Sequence, residues 1–318
     1  MRDLVSLADW TREQVEDAVR LGALVKASPA RYAGALRGRI LLMMFEKPSL
    51  RTRLSFEAAM LQAGGHAVCC DLATTPLGKG KETVADTART ASRFVSAIMA
   101  RLYRQEDLVE AARHATVPVI NGLTDAEHPC QVLADLLTLR ERRGHLAGLK
   151  LAFLGDGNNN VTHSLLDGCS KTGVNISVAC PEARDFLPRP EVLERSRRAA
   201  AATGARVEVV HDPEAAVHGA DAVYTDTWTS YHHRPEAREE RHRILEPFRV
   251  TGRILGKAGR DAFFLHCLPA ERGAEVEAAV IDGPRSAVFD QAENRLHAEK
   301  AVLLTLLAPE SSSTVARK

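Results

Sequence analysis

The residues best suited to chemistry sit in one short stretch, Phe45-Glu-Lys-Pro-Ser-Leu-Arg-Thr-Arg-Leu-Ser-Phe-Glu57. An apolar run ends at Phe45, Pro48 follows, and a helix is expected to open at Ser49. The first turn of a helix carries unpaired backbone N–H groups and the positive end of the helix dipole, which together suit a phosphate. Ser49 and Thr52 add hydroxyls, and Arg51 and Arg53 add charge and forked donors. Two arginines two residues apart diverge in a regular helix, so the expectation that both fold back on one anion requires a frayed first turn. The plain alternative is a capped helix with surface arginines. Against it stands the position directly after a buried strand, because ligands collect at the carboxyl ends of strands in open α/β sheets.

Two later segments carry polar chemistry. Gly155-Asp-Gly-Asn-Asn-Asn-Val161 follows a second apolar run but lacks the third glycine of a dinucleotide fingerprint. Its asparagines suit a helix cap, a role compatible with ligand contact. His266-Cys-Leu-Pro269 sets a thiol beside an imidazole. Neighbours on a strand point to opposite faces, so His266 is poorly placed to activate Cys267 as a nucleophile.

The stretch from Ser49 to Arg53 resembles the S-x-R-T-R carbamoyl-phosphate motif of the aspartate and ornithine carbamoyltransferases. His128-Pro-Cys-Gln131 is similar to that family's second motif. His266-Cys-Leu-Pro269 and Val288-Phe-Asp-Gln-Ala-Glu-Asn-Arg-Leu-His297 are similar to the forms of its ornithine branch. Any one of these motifs alone is weak, and their order along most of the chain gives the resemblance its weight.

The resemblance implies transfer of a carbamoyl group from carbamoyl phosphate to an amine, with L-ornithine favoured as acceptor and citrulline as product. It implies direct attack, with no covalent enzyme intermediate, no cofactor and no metal. Ser49, Leu50 through its N–H, Arg51, Thr52 and Arg53 would hold the phosphate. Arg101, His128 and Thr52 would face the carbamoyl oxygen, and Gln131 has an amide oxygen that can accept from the carbamoyl NH2. Arg295 would lie beside the carbamoyl group, as would the backbone at a cis Leu268–Pro269 bond. Cys267 would contact the side-chain amine of the acceptor. Asn160, Asp226, Ser230 and the backbone of Tyr231 would bind the rest of the ornithine.

The chain departs from the family pattern in two places. The ornithine branch carries D-x-x-x-S-M-G, whereas here Asp226-Thr-Trp-Thr-Ser230 runs into Tyr231 and His232. A histidine in place of glycine removes conformational freedom and adds bulk, which leaves putrescine or an ornithine derivative as alternative acceptors. A catalytically silent metabolite-binding relative is a remoter alternative, and the retention of Arg51, Arg53, His128, Asp226 and Arg295 speaks against it. The second departure is the lack of a Gln or His near Pro76 or Leu77, which the family uses to reach phosphate in a neighbouring subunit. Lys79 or Lys81 either substitutes or is a solvated loop charge. Because the family forms cyclic trimers, a homotrimer or a multiple of one is expected.

The elements that must position these residues alternate. Apolar runs at 40–45, 66–71, 96–100, 117–120, 150–154, 175–180, 207–210, 222–224 and 262–266 read as strands. Helical patterns at 11–26, 49–62, 83–94, 129–143 and 164–171 separate many of them. This predicts an α/β protein of two domains, each a parallel sheet flanked by helices, with the active site in the cleft between them. The expected carbamoyl-phosphate domain is 1–135 plus 297–318, the expected ornithine domain is 146–290, and the helix at 129–143 connects them.

Composition narrows the class. At 318 residues, 45% hydrophobic and 26% charged, the chain is long enough for two domains. A net charge of +1 and only 5% aromatics speak against a nucleic-acid surface. No apolar run reaches membrane-spanning length, and the first ten residues lack the apolar core of a signal peptide. Six scattered cysteines, without paired metal spacing, read as free thiols in a reducing cytoplasm.

Overall fold

Six consecutive apolar residues, Ile40–Phe45, form the first strand of a computed structural model that describes residues 3–229 and 235–308. In chain order the elements begin α1 (Arg12–Ala27), β1 (Ile40–Phe45), α2 (Leu50–Gln62), β2 (His66–Asp71) and α3 (Val84–Ala91). Next come β3 (Ala97–Arg101), α4 (Gln105–His114), β4 (Val119–Leu123) and α5 (Pro129–Arg143). They continue with β5 (Lys150–Leu154), α6 (Asn160–Thr172), β6 (Asn175–Ala179), α7 (Pro190–Thr203), β7 (Val207–Val210) and α8 (Pro213–Val217). The last are β8 (Ala222–Thr225), α9 (Pro235–Leu245), α10 (Gly252–Lys257), β9 (Phe263–His266), α11 (Ala278–Ile281) and α12 (Val288–Leu307).

Two sheets result, with strand orders β2-β1-β3-β4 and β7-β6-β5-β8-β9, and every pairing in them is parallel. Their central strands are apolar along their length because helices cover both faces. The chain divides into one unit of Met1–Leu137 with Glu293–Lys318 and another of Thr138–Ala292. In the first, Met44, Leu72, Ile98, Leu108 and Val119 belong to the core; in the second, Leu154, Val223, Ile254, Phe264 and Val288 do. Among the described residues no helix is long and apolar enough to cross a membrane.

The strand order within each sheet decides where ligands can sit. In the first, the chain leaves β1 toward β2 on one side and then crosses to β3 on the other. The carboxyl ends of β1 and β3, where Phe45 pairs with Arg101, therefore border a crevice at the topological switch point. In the second sheet the same argument selects β5 and β8, whose ends pair at Leu154 and Thr225.

Some elements differ from expectation. The helix expected over 83–94 stops at Ala91. There the Ser92 hydroxyl turns back onto Ala88 O at 2.6 Å and accepts from Thr116 N at 3.0 Å, and this local bonding competes with further helix. Helices α4, α8, α9, α10, α11 and α12 were not among the expected patterns. The α9 sequence, PEAREERHRIL, carries too few apolar residues to mark a stripe, whereas QEDLVEAARH of α4 does place Leu108 and Ala111 on one buried face, a signal that was passed over.

Candidate active site

Ser49 caps α2: its Oγ accepts from Thr52 N at 3.3 Å and its hydroxyl donates to Thr52 Oγ1 at 3.1 Å. The helix is regular from Leu50, so Arg51 and Arg53 diverge. Arg53 is exposed, and its Nε donates to Glu57 Oε1 at 3.0 Å, on the helix face away from the buried Thr52. The first turn is not frayed, and with that the expected double clamp fails geometrically. Lys79 and Lys81 are exposed as well.

Around Thr52 the first unit gathers side chains from four elements. Arg295, on α12, is buried; its Nη2 donates to Thr52 Oγ1 at 3.1 Å and its Nη1 to Gln131 Oε1 at 2.9 Å. Thr52 Oγ1 thus accepts twice, which frees its own proton for donation to a ligand. Arg101 sits at the end of β3, where the register with β4 shifts and Leu123 adopts φ 151°, a strained conformation for a residue with a side chain. The bulge re-aims the Arg101 side chain, whose Nη1 lies 3.4 Å from Gly122 O. His128, buried just ahead of α5, is held neutral. Burial first, then the charges of Arg295, Arg101 and Arg51, push its pKa well below the usual imidazole range.

Sequence reasoning missed three charged groups of this site. Glu299 is buried, and its Oε1 accepts from Arg295 Nε at 2.9 Å and Nη2 at 2.6 Å. Burial pushes its carboxyl up, with Arg295 opposing. Asp135 is also buried and accepts from Gln131 Nε2 at 2.8 Å. Each lies four residues after the side chain it holds, a same-face helical spacing that was visible in the sequence. Lys47, beside Pro48, is buried with its Nζ 4.7 Å from the centre of the Tyr103 ring. Burial and then the Arg101 charge push its pKa down to about 8.

In the second unit, Gly155 begins the turn after β5 at φ 132°, and a side chain there would press on Thr225 Oγ1 and Trp228 Nε1 at 3.4 Å. Asn159 caps α6 by accepting from Thr162 N at 2.8 Å, which leaves Asn160 as the first helical residue. Arg241 of α9 pairs with Asp156 in the same turn and donates from Nε to Trp228 O at 3.0 Å. Asp226 follows β8; its Oδ1 accepts from Thr227 N at 2.7 Å and from Cys267 Sγ at 2.9 Å. The thiol is therefore tied to a carboxylate. His266 is committed elsewhere: Nδ1 accepts from Leu268 N at 2.8 Å, and Nε2 lies 3.3 Å from Glu275 Oε1. Leu268 has φ 59°, and its bond to Pro269 is cis.

Asp226, His266 and Cys267 offer ligand atoms within 4.8 Å of one another. With both His266 nitrogens engaged, the cluster presents a metal with two donors rather than the three or four of a protein zinc site. Ser230, Tyr231 and His232 lie outside the described residues.

The first unit thus provides a capped helix terminus with converging guanidinium groups and a neutral imidazole. Such a site can hold a phosphate dianion and stabilise an oxyanion next to it. The second provides a carboxylate, a thiol and an amide at its own switch point, a set suited to the amino groups of a small cationic ligand.

Known proteins resemble this chain over nearly its whole length. A family model described as "Aspartate/ornithine carbamoyltransferase, carbamoyl-P binding domain" matches residues 2–141, and its companion, described as "Asp/Orn binding domain", matches 147–306. The ornithine carbamoyltransferase of Symbiobacterium thermophilum is 50% identical over 311 residues, covering 96% of this chain and 98% of that protein. The anabolic ornithine carbamoyltransferase of Pyrococcus furiosus is 47% identical over 311 residues, with 96% of each covered. Of solved structures, the ornithine carbamoyltransferase from Pyrococcus furiosus superposes with a TM-score of 0.92 at 46% identity, covering 96% of this chain and 97% of that one. The enzyme from Thermus thermophilus gives 0.85 at 44% identity, with 96% and 98% covered.

Proposed function

The chain belongs to the aspartate/ornithine carbamoyltransferase family, and from that premise we propose that it moves the carbamoyl group of carbamoyl phosphate to the side-chain amine of L-ornithine, giving citrulline and phosphate. The observation that carries the reading is the convergence of Thr52, Gln131 and Arg295 behind the capped terminus of α2, joined by bonds of 2.9 and 3.1 Å. The phosphate binds at Ser49, Leu50 N–H, Arg51 and Thr52. The carbamoyl oxygen faces Arg101, His128 and Thr52, with Arg295 alongside. As the uncharged amine attacks, charge builds on that oxygen, and each preorganised donor contributes roughly 3–4 kcal/mol to its stabilisation. Phosphate leaves onto the helix terminus that already held it.

Asn160 and Asp226 hold the acceptor's amino-acid end, together with Ser230 and Tyr231. Cys267 meets the side-chain amine. Holding two small substrates in register supplies roughly 7–11 kcal/mol, which removes the need for a covalent intermediate. Because the attacking amine must be deprotonated, the rate rises with pH until that amine has titrated.

The experiment is an acceptor panel. Purified protein with carbamoyl phosphate is given ornithine, acetylornithine, lysine or putrescine, and the carbamoylated product is measured. Ornithine should dominate. Product from putrescine instead would reassign the acceptor, and phosphate release with none of the four would sink the reading.

A homotrimer is supported by Leu50, Leu54 and Leu61, which are 71%, 55% and 73% exposed along one face of α2, and by the exposed Val68 on edge strand β2. Light scattering should give three times the chain mass, and Leu54→Glu with Leu61→Glu should lower it. A monomeric wild type would remove this part. That the six cysteines are thiols rather than disulfides supports a cytoplasmic setting, and thiol labelling of the protein inside intact cells should find them reduced.

A further inference from the structure

A primary amide such as that of Gln131 has two ends of nearly the same shape and opposite chemistry, one that only accepts and one that only donates. Its neighbours fix which end is which. Asp135, one helical turn on, is an acceptor and therefore takes Nε2–H at 2.8 Å. Arg295 Nη1 is a donor and therefore meets Oε1 at 2.9 Å. Rotating the amide by half a turn would set oxygen against carboxylate and N–H against guanidinium, two repulsive contacts in place of two bonds. All three side chains are buried, so water is not available to rescue the rotated form. Arg295 is itself pinned by Glu299, which keeps its fork from swinging to follow Gln131.

One lone pair of Gln131 Oε1 is taken by Arg295, and the second is left for a ligand. An acceptor that cannot rotate into a donor distinguishes two acyl phosphates of the same shape. The NH2 of a carbamoyl group can donate to it, whereas the CH3 of an acetyl group cannot and leaves the oxygen desolvated. We propose that Asp135 is the positioning residue that sets this selectivity: by orienting the Gln131 amide, it makes the site take a carbamoyl phosphate over its acetyl isostere. Asp135 touches Gln131 and not the substrate. The inference rests on the carbamoyl-transfer reading given above.

The test compares binding of carbamoyl phosphate with inhibition by acetyl phosphate in the full-length wild type, Asp135→Asn, Gln131→Leu and the double variant. Asp135→Asn keeps the shape and removes one of the two contacts that forbid the rotated amide, leaving only Arg295 Nη1 on Oε1, so the ratio of the two constants should fall about tenfold, equivalent to about 1.4 kcal/mol. Gln131→Leu should lower the ratio at least as far, and adding Asp135→Asn to it should change the ratio no further. A purely structural Asp135 would instead weaken both ligands equally and leave the ratio intact, and that result overturns the proposal. Should Asp135→Asn not fold, an unchanged ratio in Gln131→Leu overturns it alone. A wild type that binds the two phosphates equally also overturns the proposal, whereas failure of the carbamoyl reading shows separately, as no carbamoylated product from any acceptor of the panel.

Discussion

In the first unit the polar side chains of the site are gathered from far along the chain: Thr52 meets Arg295 across 243 residues, and Gln131 meets it across 164. In the second unit, Cys267 reaches Asp226 across 41, and His266 reaches Leu268 across two. The first half is cationic and propped from beneath by Glu299 and Asp135. The second is made of strand-end turns whose own backbone does much of the bonding. The difference follows from the ligands. A phosphate dianion needs several positive charges held close together, and like charges stay close only where buried carboxylates hold them in place. A small amino acid needs a carboxylate and a few hydrogen-bond groups, which neighbouring strand ends already supply.

Removing Arg295 should break the first half most severely. Arg295→Met is expected to lower kcat/KM roughly 10³-fold, through the loss of a preorganised donor. It also strands Glu299, at a stability cost of about 3–5 kcal/mol by urea denaturation. Adding Glu299→Gln should return most of the stability and none of the activity. If activity returned too, the guanidinium would be a scaffold and the contrast would collapse.

The second half should fail differently. Asp226→Asn is expected to raise the KM for ornithine ten- to a hundredfold, the scale of one charge-assisted hydrogen bond. Carbamoyl phosphate affinity, measured by calorimetry without acceptor, should stay within twofold. A comparable loss in both constants would mean that the two halves are not separable.

A smaller effect comes from the neutral His128. Its folded pKa lies well below the unfolded value near 6.5, so the unfolded chain binds the extra proton first. The stability it contributes is complete above pH 6.5 and is lost as pH falls toward the depressed folded value, at up to about 1.4 kcal/mol per pH unit. His128→Asn should flatten that part of the urea-stability profile below pH 6.5. An unchanged slope would place the titration elsewhere.

The smallest effect separates neighbours on α2. Arg53→Ala should leave carbamoyl phosphate affinity within twofold, because the side chain faces solvent beside Glu57. Arg51→Ala should weaken it at least tenfold. Equal losses would restore the frayed first turn that the sequence invited.

Much of the scaffold was legible because it is local. β1 and β5 are bare apolar runs, and Ser49 and the turn at Gly155 punctuate them directly. Arg53 was misread because the motif lists residue types, whereas direction belongs to the helix, and a regular first turn sends residues 51 and 53 apart. Asp135 and Glu299 were passed over although their four-residue spacing from Gln131 and Arg295 was in plain view, since a carboxylate on a helix is ordinarily a solvated one. Only packing shows that these two are buried. Helix α9 stayed hidden for the reverse reason: it is so polar that its existence depends on anchors such as Arg241 on Asp156 rather than on its own pattern.

The first unit is closed by residues 293–307 of α12, the last helix of the described chain to be synthesised. A ribosome adds about 5–20 residues per second and releases the amino-terminal part first. A nascent chain of 292 residues has the whole first sheet but lacks Arg295 and Glu299. It therefore cannot complete its anion site, however long it waits in the exit tunnel's shadow. A carboxyl-truncated product ending before Arg295 is therefore expected to bind carbamoyl phosphate poorly, because the order of synthesis supplies these two side chains last.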